Sequence, residues 1–170
     1  MTQAPPDQDR RRSASRRPLL LLVLLLAVCY AVAALGGLAA SDSGSTYRSL
    51  DRPAWAPPSW LFGPVWTVLY ATIAFSAWLV LRHRPLAAAR KEMAFWGVQL
   101  ALNLAWTPLF FGADRYGLAF LDICLLLAAL AVTMLLFRRR SPVAALLLVP
   151  YALWVLYAAS LNFAIWRLNT

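Results

Sequence analysis

The side chains of this sequence that could do chemistry lie inside strongly apolar stretches. Phe62, Trp66 and Tyr70 are spaced four residues apart, so on a helix they would share one face. Asp122 and Trp154 also lie well inside apolar runs. Aromatic rings beside a few polar groups can stack on a flat ligand and hydrogen-bond to its margin. The pattern favours a polar-aromatic cavity, and an ordinary aromatic belt with polar contacts between helices is the alternative.

Two asparagines and a further tryptophan extend this set of candidate residues. Asn103 and Trp106 lie near one end of the third apolar stretch, and Asn162 lies near the corresponding end of the fifth. A carboxyl group near the centre of a membrane span costs about 2.5–3.5 kcal/mol on insertion scales, and buried amides also need partners. Asp122 and the two asparagines should therefore face the interior of a bundle. For Asp122, capping or pairing within the bundle is an alternative to ligand binding.

Known catalytic and metal-binding motifs are absent from the sequence. It has no nucleotide-binding glycine loop, no H-E-x-x-H, no cysteine cluster and no paired carboxylates. The single histidine, His83, stands between Arg82 and Arg84 in a short basic loop, which is the wrong place for an axial haem ligand. Cys29 and Cys124 are predicted to act as small hydrophobic side chains. We therefore expect no metal site, no bound cofactor and a metal-free ligand.

The composition indicates a membrane protein. Of 170 residues, 62% are hydrophobic, against about 45–50% in an average soluble domain. A spanning helix needs roughly 20 mostly apolar residues. Five stretches qualify, at about 18–40, 60–81, 93–111, 116–137 and 142–166. The predicted fold is an all-α five-helix membrane bundle over residues 18–170, with a long external loop between the first two spans. Residues 1–17 are predicted to be a basic, disordered cytoplasmic tail.

The basic residues predict the orientation of the bundle. Twelve of the 16 fall in the tail, the loop 82–92 and the turn Arg138–Arg140, which lie on one side of the membrane. The other side has Arg48, Arg52, Arg115 and Arg167. The positive-inside rule places the N-terminus in the cytoplasm and the C-terminus outside. Because the basic residues are dispersed over several loops, binding of nucleic acid is not expected.

Two further patterns concern packing. Gly97, Ala101 and Ala105 form a stripe of small residues at four-residue spacing on the third helix. Such a stripe lets helices approach closely, either within the chain or across a homodimer seam, and both interpretations stay open. Pro150 stands well inside the fifth span and should kink it, since proline removes a backbone hydrogen bond.

Four segments carry recognisable motifs. They are YRSLDRPAWAPP from Tyr47, FGPVWTVLY from Phe62, QLALNLAWTPLFFG from Gln99, and the pair PYALW and LNFAIWRLN in the fifth span. With these motifs in this order, the chain closely resembles the tryptophan-rich sensory protein / translocator protein family, also called peripheral-type benzodiazepine receptors (TspO/MBR). The resemblance covers about residues 20–169.

The resemblance implies a function. Members are membrane receptors, sensors or carriers, often dimeric, that bind protoporphyrin IX and synthetic benzodiazepine-type ligands beneath the first loop. The implied role is regulation of porphyrin metabolism or of a stress response. Trp66 and Trp154 match tryptophans tied to light- and oxygen-dependent porphyrin breakdown, so a porphyrin-degrading activity is the alternative, followed by transport of small solutes or lipids. The family and the strong preference for arginine over lysine suggest a bacterial membrane.

The resemblance also completes the set of candidate ligand-binding residues. Asn103 and Ala158 match pocket residues of the family, and Trp55 lies in the matching loop. The full set is Trp55, Phe62, Trp66, Tyr70, Asn103, Trp106, Asp122, Trp154, Ala158 and Asn162. The proposed cholesterol motif of the family needs a tyrosine where this chain has Phe163, so sterol binding by that route is not expected.

Overall fold

The computed structural model describes residues 6–39 and 43–170, and within these ranges every regular element is helical. The α-helices are α1 (Pro6–Ala39), α2 (Ser43–Ser49), α3 (Phe62–Leu81), α4 (Arg90–Thr107), α5 (Tyr116–Arg140), α6 (Pro142–Leu147) and α7 (Val149–Leu168). Short 3₁₀ turns at Ser59–Leu61 and Leu86–Ala89 precede α3 and α4, and a π-helical turn at Pro108–Gly112 extends α4.

In the described part of the chain, five segments are long and apolar enough to cross a membrane. They are Arg17–Ala39, Ser59–Leu81, Leu86–Gly112, Tyr116–Arg140 and Pro142–Leu168. A helix satisfies its own backbone hydrogen bonds, which is why such segments can span lipid. The predicted five-helix membrane bundle is confirmed.

The helices pack around a core that mixes small side chains with large aromatic ones. The most extensive contacts join α4 to α5, α1 to α3, and α5 to α7, and α1 also touches α4. Ile73, Ala74 and Ala77 on α3 and Tyr151 on α7 are fully buried there. Small side chains allow the close approach that association in a membrane depends on, because lipid supplies no hydrophobic driving force between helices.

The first helix begins earlier than the sequence suggests. It starts at Pro6, so residues 6–17 are helical although they belong to the predicted disordered tail. Proline is favoured in the first turn of a helix, and the glutamine and arginines that follow are good helix formers. Residues 1–5 of the predicted tail lie outside the described ranges. The apolar part of α1 coincides with the first predicted span.

The fifth span is interrupted, as its proline predicts. α6 ends at Leu147 and α7 begins at Val149, with Pro150 in the first turn of α7. At the junction, the Leu148 N–H donates to the Ala145 carbonyl at 3.1 Å, and the Ala152 N–H donates to the Leu148 carbonyl at 2.9 Å. Before the break, α6 contacts both α3 and α5, whereas after it α7 contacts mainly α5.

A close contact between α5 and α7 yields the first prediction. A Cβ at Gly117 would lie 3.0 Å from the Trp166 ring, whereas a Cβ at Gly63 would meet no described atom within 4 Å. Both glycines are the second residue of their helices. We expect Gly117→Ala to lower the free energy of unfolding by about 1–3 kcal/mol through overpacking. Gly63→Ala should stay within about 0.5 kcal/mol of the wild type. Denaturation in detergent micelles measures both, and equal stability of the two variants would contradict the contact.

Candidate functional site

A cavity of about 480 Å³ lies in the half of the bundle next to α2. Its walls come from α1, α3, α4, the π-helical turn, α5 and α7, and its roof comes from α2 and the 3₁₀ turn before α3. The segment 43–58, which includes α2, is called the lid below. The cavity is mainly aromatic and aliphatic, which is typical of sites for small organic molecules.

The structure brings most of the candidate residues together around this cavity. The lining includes Phe62, Trp66, Tyr70, Asn103, Trp106, Trp154, Ala158 and Asn162. The three aromatic residues of α3 share one helix face, as their four-residue spacing predicts. The Trp66 ring lies 5.5 Å from the Tyr70 ring, and the Phe62 ring lies 6.0 Å from the Trp154 ring of α7.

Two candidate residues do not line the cavity. Trp55 is 49% exposed on the lid, and its ring packs on the outer side of α7 against Tyr157, with ring centroids 5.6 Å apart. Asp122 is buried on α5, but the α5 residue that lines the cavity is Leu126, one turn further along. Neither residue therefore belongs to the cavity wall, and their assignment to a ligand site stays a prediction. The Asp122 Oδ2 atom has no hydrogen-bond partner among the described residues.

Two further residues of the cavity wall are not among those that the sequence predicts. Tyr47 is buried under the lid, its ring lies 5.5 Å from Phe62, and its hydroxyl donates to the Pro57 carbonyl at 3.1 Å. Burial raises the pKa of the Tyr47 phenol above its usual value. Phe110 lies in the π-helical turn and stacks on Trp106 at 4.8 Å. Both residues belong to the sequence motifs quoted above. A π-helical turn often marks a functional site, but the sequence alone does not predict where such a turn forms.

A chain of hydrogen bonds runs from the cavity into the bundle. The Tyr70 hydroxyl donates to Asn103 Oδ1 at 2.7 Å, Asn103 Nδ2 donates to the Tyr151 hydroxyl at 3.1 Å, and that hydroxyl donates to Gln99 Oε1 at 2.9 Å. All four side chains are buried. The chain joins α3, α4 and α7 and ends at Gln99 Nε2, which has no partner among the described residues. It satisfies polar groups that would be costly in lipid.

A second hydrogen-bond network orients the part of the cavity wall that α4 and α7 form. The Trp106 indole N–H donates to Asn162 Oδ1 at 2.9 Å, and Asn162 Nδ2 donates to the Tyr116 carbonyl at 2.9 Å. An indole can only donate and a carbonyl can only accept, so the amide of Asn162 has one orientation. The Trp154 indole N–H, by contrast, finds no partner in the described part of the chain. The nitrogen itself is buried, although the Trp154 residue lines the cavity.

The charged side chains closest to the cavity lie on the lid rather than in the cavity wall. None of the described residues that line it carries a charge. On the lid, the Arg52 guanidinium lies 4.7 Å above the centre of the Tyr47 ring, and Arg48 lies beside Gly44, which lines the cavity. In the described ranges no cluster of His, Cys, Asp and Glu could hold a metal ion. The arrangement suits an uncharged, flat ligand body with anionic groups directed towards the lid.

The lid is fastened to α7. The Tyr157 hydroxyl donates to the Trp55 carbonyl at 3.0 Å. Just beyond the end of α7, Asn169 Oδ1 accepts from the Asp51 N–H at 3.1 Å, and Asn169 Nδ2 donates to the Asp51 carbonyl at 2.9 Å. One side chain of α7 and one just beyond its end therefore hold the lid over the cavity.

The stripe of small residues on α4 is partly covered, with Gly97 and Ala105 half-buried. A Cβ at Gly97 would meet nothing within 4 Å among the described residues, and Ala101 is exposed. Close packing within the described chain therefore does not account for these two positions.

The sequence of the chain is similar to those of known membrane proteins. A sequence model of the TspO/MBR family matches residues 25–167. The chain is 41% identical over 127 residues to the translocator protein of Ovis aries, covering 72% of this chain and 74% of the relative. It is 41% identical over 130 residues to protein CrtK of Rhodobacter capsulatus, covering 74% and 79%. It is 37% identical over 143 residues to the tryptophan-rich sensory protein of Cereibacter sphaeroides, covering 84% and 87%.

Proposed function

Because the chain belongs to the TspO/MBR family of membrane proteins, we propose that its cavity binds a tetrapyrrole such as protoporphyrin IX. The protein would act as a membrane receptor, sensor or carrier linked to porphyrin metabolism or to a stress response. The observation that carries the proposal is the separation of an uncharged aromatic cavity from the two arginines on its lid. A macrocycle with an apolar ring and propionate groups at one edge matches both parts.

The aromatic walls supply the main contacts. Trp66 on α3 and Trp154 on α7 both line the cavity, and Trp106 adds a third indole from α4. Indole rings bury a large area and add about 0.5–1.5 kcal/mol when they stack on another aromatic system. Asn103 and Asn162 also line the cavity and place polar groups beside these rings. Polar contacts then orient a ligand whose affinity comes mostly from ring contact.

The arginines of the lid give the test of this proposal. Arg48 and Arg52 are both exposed, so each ion pair with a propionate is worth at most about 1 kcal/mol. We expect Arg48→Ala/Arg52→Ala to weaken protoporphyrin IX binding about tenfold, and to leave the affinity for its dimethyl ester nearly unchanged. The measurement is quenching of intrinsic tryptophan fluorescence in lipid nanodiscs, and salt should weaken only the binding of the free acid. If the wild type shows no saturable quenching, the proposal fails.

Porphyrin breakdown is a second candidate, favoured by the oxidisable rings around the cavity. Trp66 lies 5.5 Å from Tyr70 and 6.0 Å from Tyr151. A photoexcited porphyrin would take one electron from such a ring and pass it to oxygen, and the reduced oxygen species would attack the macrocycle, with Trp66 and Trp154 as the expected electron donors. The test is to illuminate the complex in air and follow the Soret band. Bleaching no faster than with free porphyrin and an unrelated membrane protein would eliminate this activity.

The homodimer is also a proposal. Gly97, Ala101 and Ala105 would form its seam, since Ala101 is exposed and a Cβ at Gly97 would meet no described atom within 4 Å. Disulfide formation by Ala101→Cys in native membranes tests this directly. The exposed Cys124 should be replaced by serine in the same chain, so that any crosslink comes from the seam. A monomeric product under oxidising conditions would argue against the seam.

The orientation stays a proposal as well, with the N-terminus in the cytoplasm and the C-terminus outside. His83 and Arg115 are exposed at opposite ends of the bundle, so a cysteine at either position reports its side of the membrane. In intact cells, a membrane-impermeant maleimide should label Arg115→Cys and leave His83→Cys unlabelled, in a background that lacks Cys124. The reverse pattern would invert the topology.

A further inference from the structure

The cavity reaches the surface of the bundle sideways. Tyr30, Gly37, Gly63 and Thr67 line the cavity and are exposed at the same time. The first two lie on α1 and the last two on α3. Every other described residue of the cavity wall is buried or half-buried. The opening between these four residues, called the window below, therefore lies within two membrane spans rather than at the lid.

Glycine keeps the window open. A Cβ at Gly37 or at Gly63 would meet no described atom within 4 Å, so each edge of the window has vacant space where a side chain could stand. The residues next to the window on the outer surface are apolar, with Leu38 74% exposed and Val68 63% exposed. On a membrane span, such exposed apolar side chains face lipid chains. The window consequently opens into hydrocarbon.

The two possible routes into the cavity are closed by different contacts. Across the window, the Tyr30 hydroxyl donates to the Thr67 carbonyl at 3.0 Å. The lid is held by the Tyr157 bond to Trp55 and by both bonds between Asn169 and Asp51. Opening the lid breaks more hydrogen bonds and also separates the Trp55 and Tyr157 rings. Fewer hydrogen bonds therefore cross the window than hold the lid.

We propose that the ligand of the cavity enters and leaves through the window, directly from the bilayer, with Tyr30 as the latch. This inference rests on the proposed function. The ligand class is a flat, apolar amphiphile with anionic groups at one edge. Such a molecule in a membrane keeps its charges at the interface, because a charge in the hydrocarbon is costly. The arginines stand at the lid and the window lies below it, so the molecule can slide in without turning over.

Variants that place a larger side chain at the window provide the decisive test. Gly63→Leu and Gly37→Leu each place a side chain in vacant space at one edge. In proteoliposomes preloaded with protoporphyrin IX, we expect association and dissociation to slow at least about tenfold in each variant. Tyr30→Phe removes the latch and should speed both rates severalfold. Ala128→Leu adds comparable bulk at an exposed position of α5 and serves as the control with wild-type rates. Stopped-flow tryptophan quenching measures all four.

The possible outcomes separate the window from the proposed function. A wild-type protein that does not bind the porphyrin removes the proposed function and the window with it. Binding by the wild type, with unchanged rates in both leucine variants, overturns the window alone. The window is also overturned if Asn169→Leu speeds association while the window variants have no effect, because access is then through the lid. Slowing in the leucine variants, together with rates that follow the porphyrin content of the bilayer, supports the window.

Discussion

Replacing Trp66 and Trp154 together with alanine is expected to weaken protoporphyrin IX binding about 100-fold. The two rings line the cavity from different helices, α3 and α7. If each stacked indole contributes about 1.5 kcal/mol, their loss removes about 3 kcal/mol, which corresponds to roughly two decades in Kd. Because the change also removes two fluorophores, the titration should follow the fluorescence anisotropy of the porphyrin rather than the quenching of the protein.

The matched control removes two tryptophans outside the cavity. Trp55 and Trp60 are 49% and 69% exposed, and neither lines the cavity. Trp55→Ala/Trp60→Ala should bind the porphyrin within about twofold of the wild type, since no stacking contact is lost. Circular dichroism checks that both double variants keep their helices. Equal affinity of the cavity variant and the control variant would refute the assignment of the aromatic walls.

The second large effect is on stability. Asn103→Leu should lower the free energy of unfolding by about 2 kcal/mol, because the Tyr70 hydroxyl loses its acceptor and the Tyr151 hydroxyl loses a donor. Hydrogen bonds within membranes average less than this individually, but two are lost here. Unfolding in mixed detergent micelles measures the change.

Thr133→Val is the control for that experiment. Thr133 is equally buried, but its hydroxyl donates to the Ala129 carbonyl of its own helix at 2.8 Å, so its loss leaves no other side chain unpaired. A destabilisation of Asn103→Leu no larger than that of Thr133→Val would mean that the hydrogen-bond chain does not couple α3, α4 and α7.

Helical spacing predicts part of the site well. Phe62, Trp66 and Tyr70 repeat every four residues, so any straight helix places them on one face, and all three line the cavity. The cost of burying amides in lipid correctly predicts that Asn103 and Asn162 point into the bundle, where both are hydrogen-bonded.

Other features depend on how whole elements pack, which local spacing does not determine. Polarity indicates that Asp122 is buried, but the rotation of α5 decides that Leu126 rather than Asp122 faces the cavity. The path of the lid decides that Trp55 packs outside α7. On α1, Gly37 contributes to the window because it has no side chain there. A glycine within an apolar run does not predict such an opening from the sequence.

The most direct test of the central claim is ¹⁹F NMR of protein labelled with fluorotryptophan, with each signal assigned by Trp→Phe substitution and protoporphyrin IX then added in nanodiscs. The cavity is lined by Trp66, Trp106 and Trp154, whereas Trp55, Trp60, Trp78, Trp96 and Trp166 lie outside it. Ring currents from a macrocycle in the cavity should shift the first three signals strongly and leave Trp60 and Trp78 in place. Shifts confined to the tryptophans outside the cavity would place the porphyrin on the surface of the bundle and contradict the account.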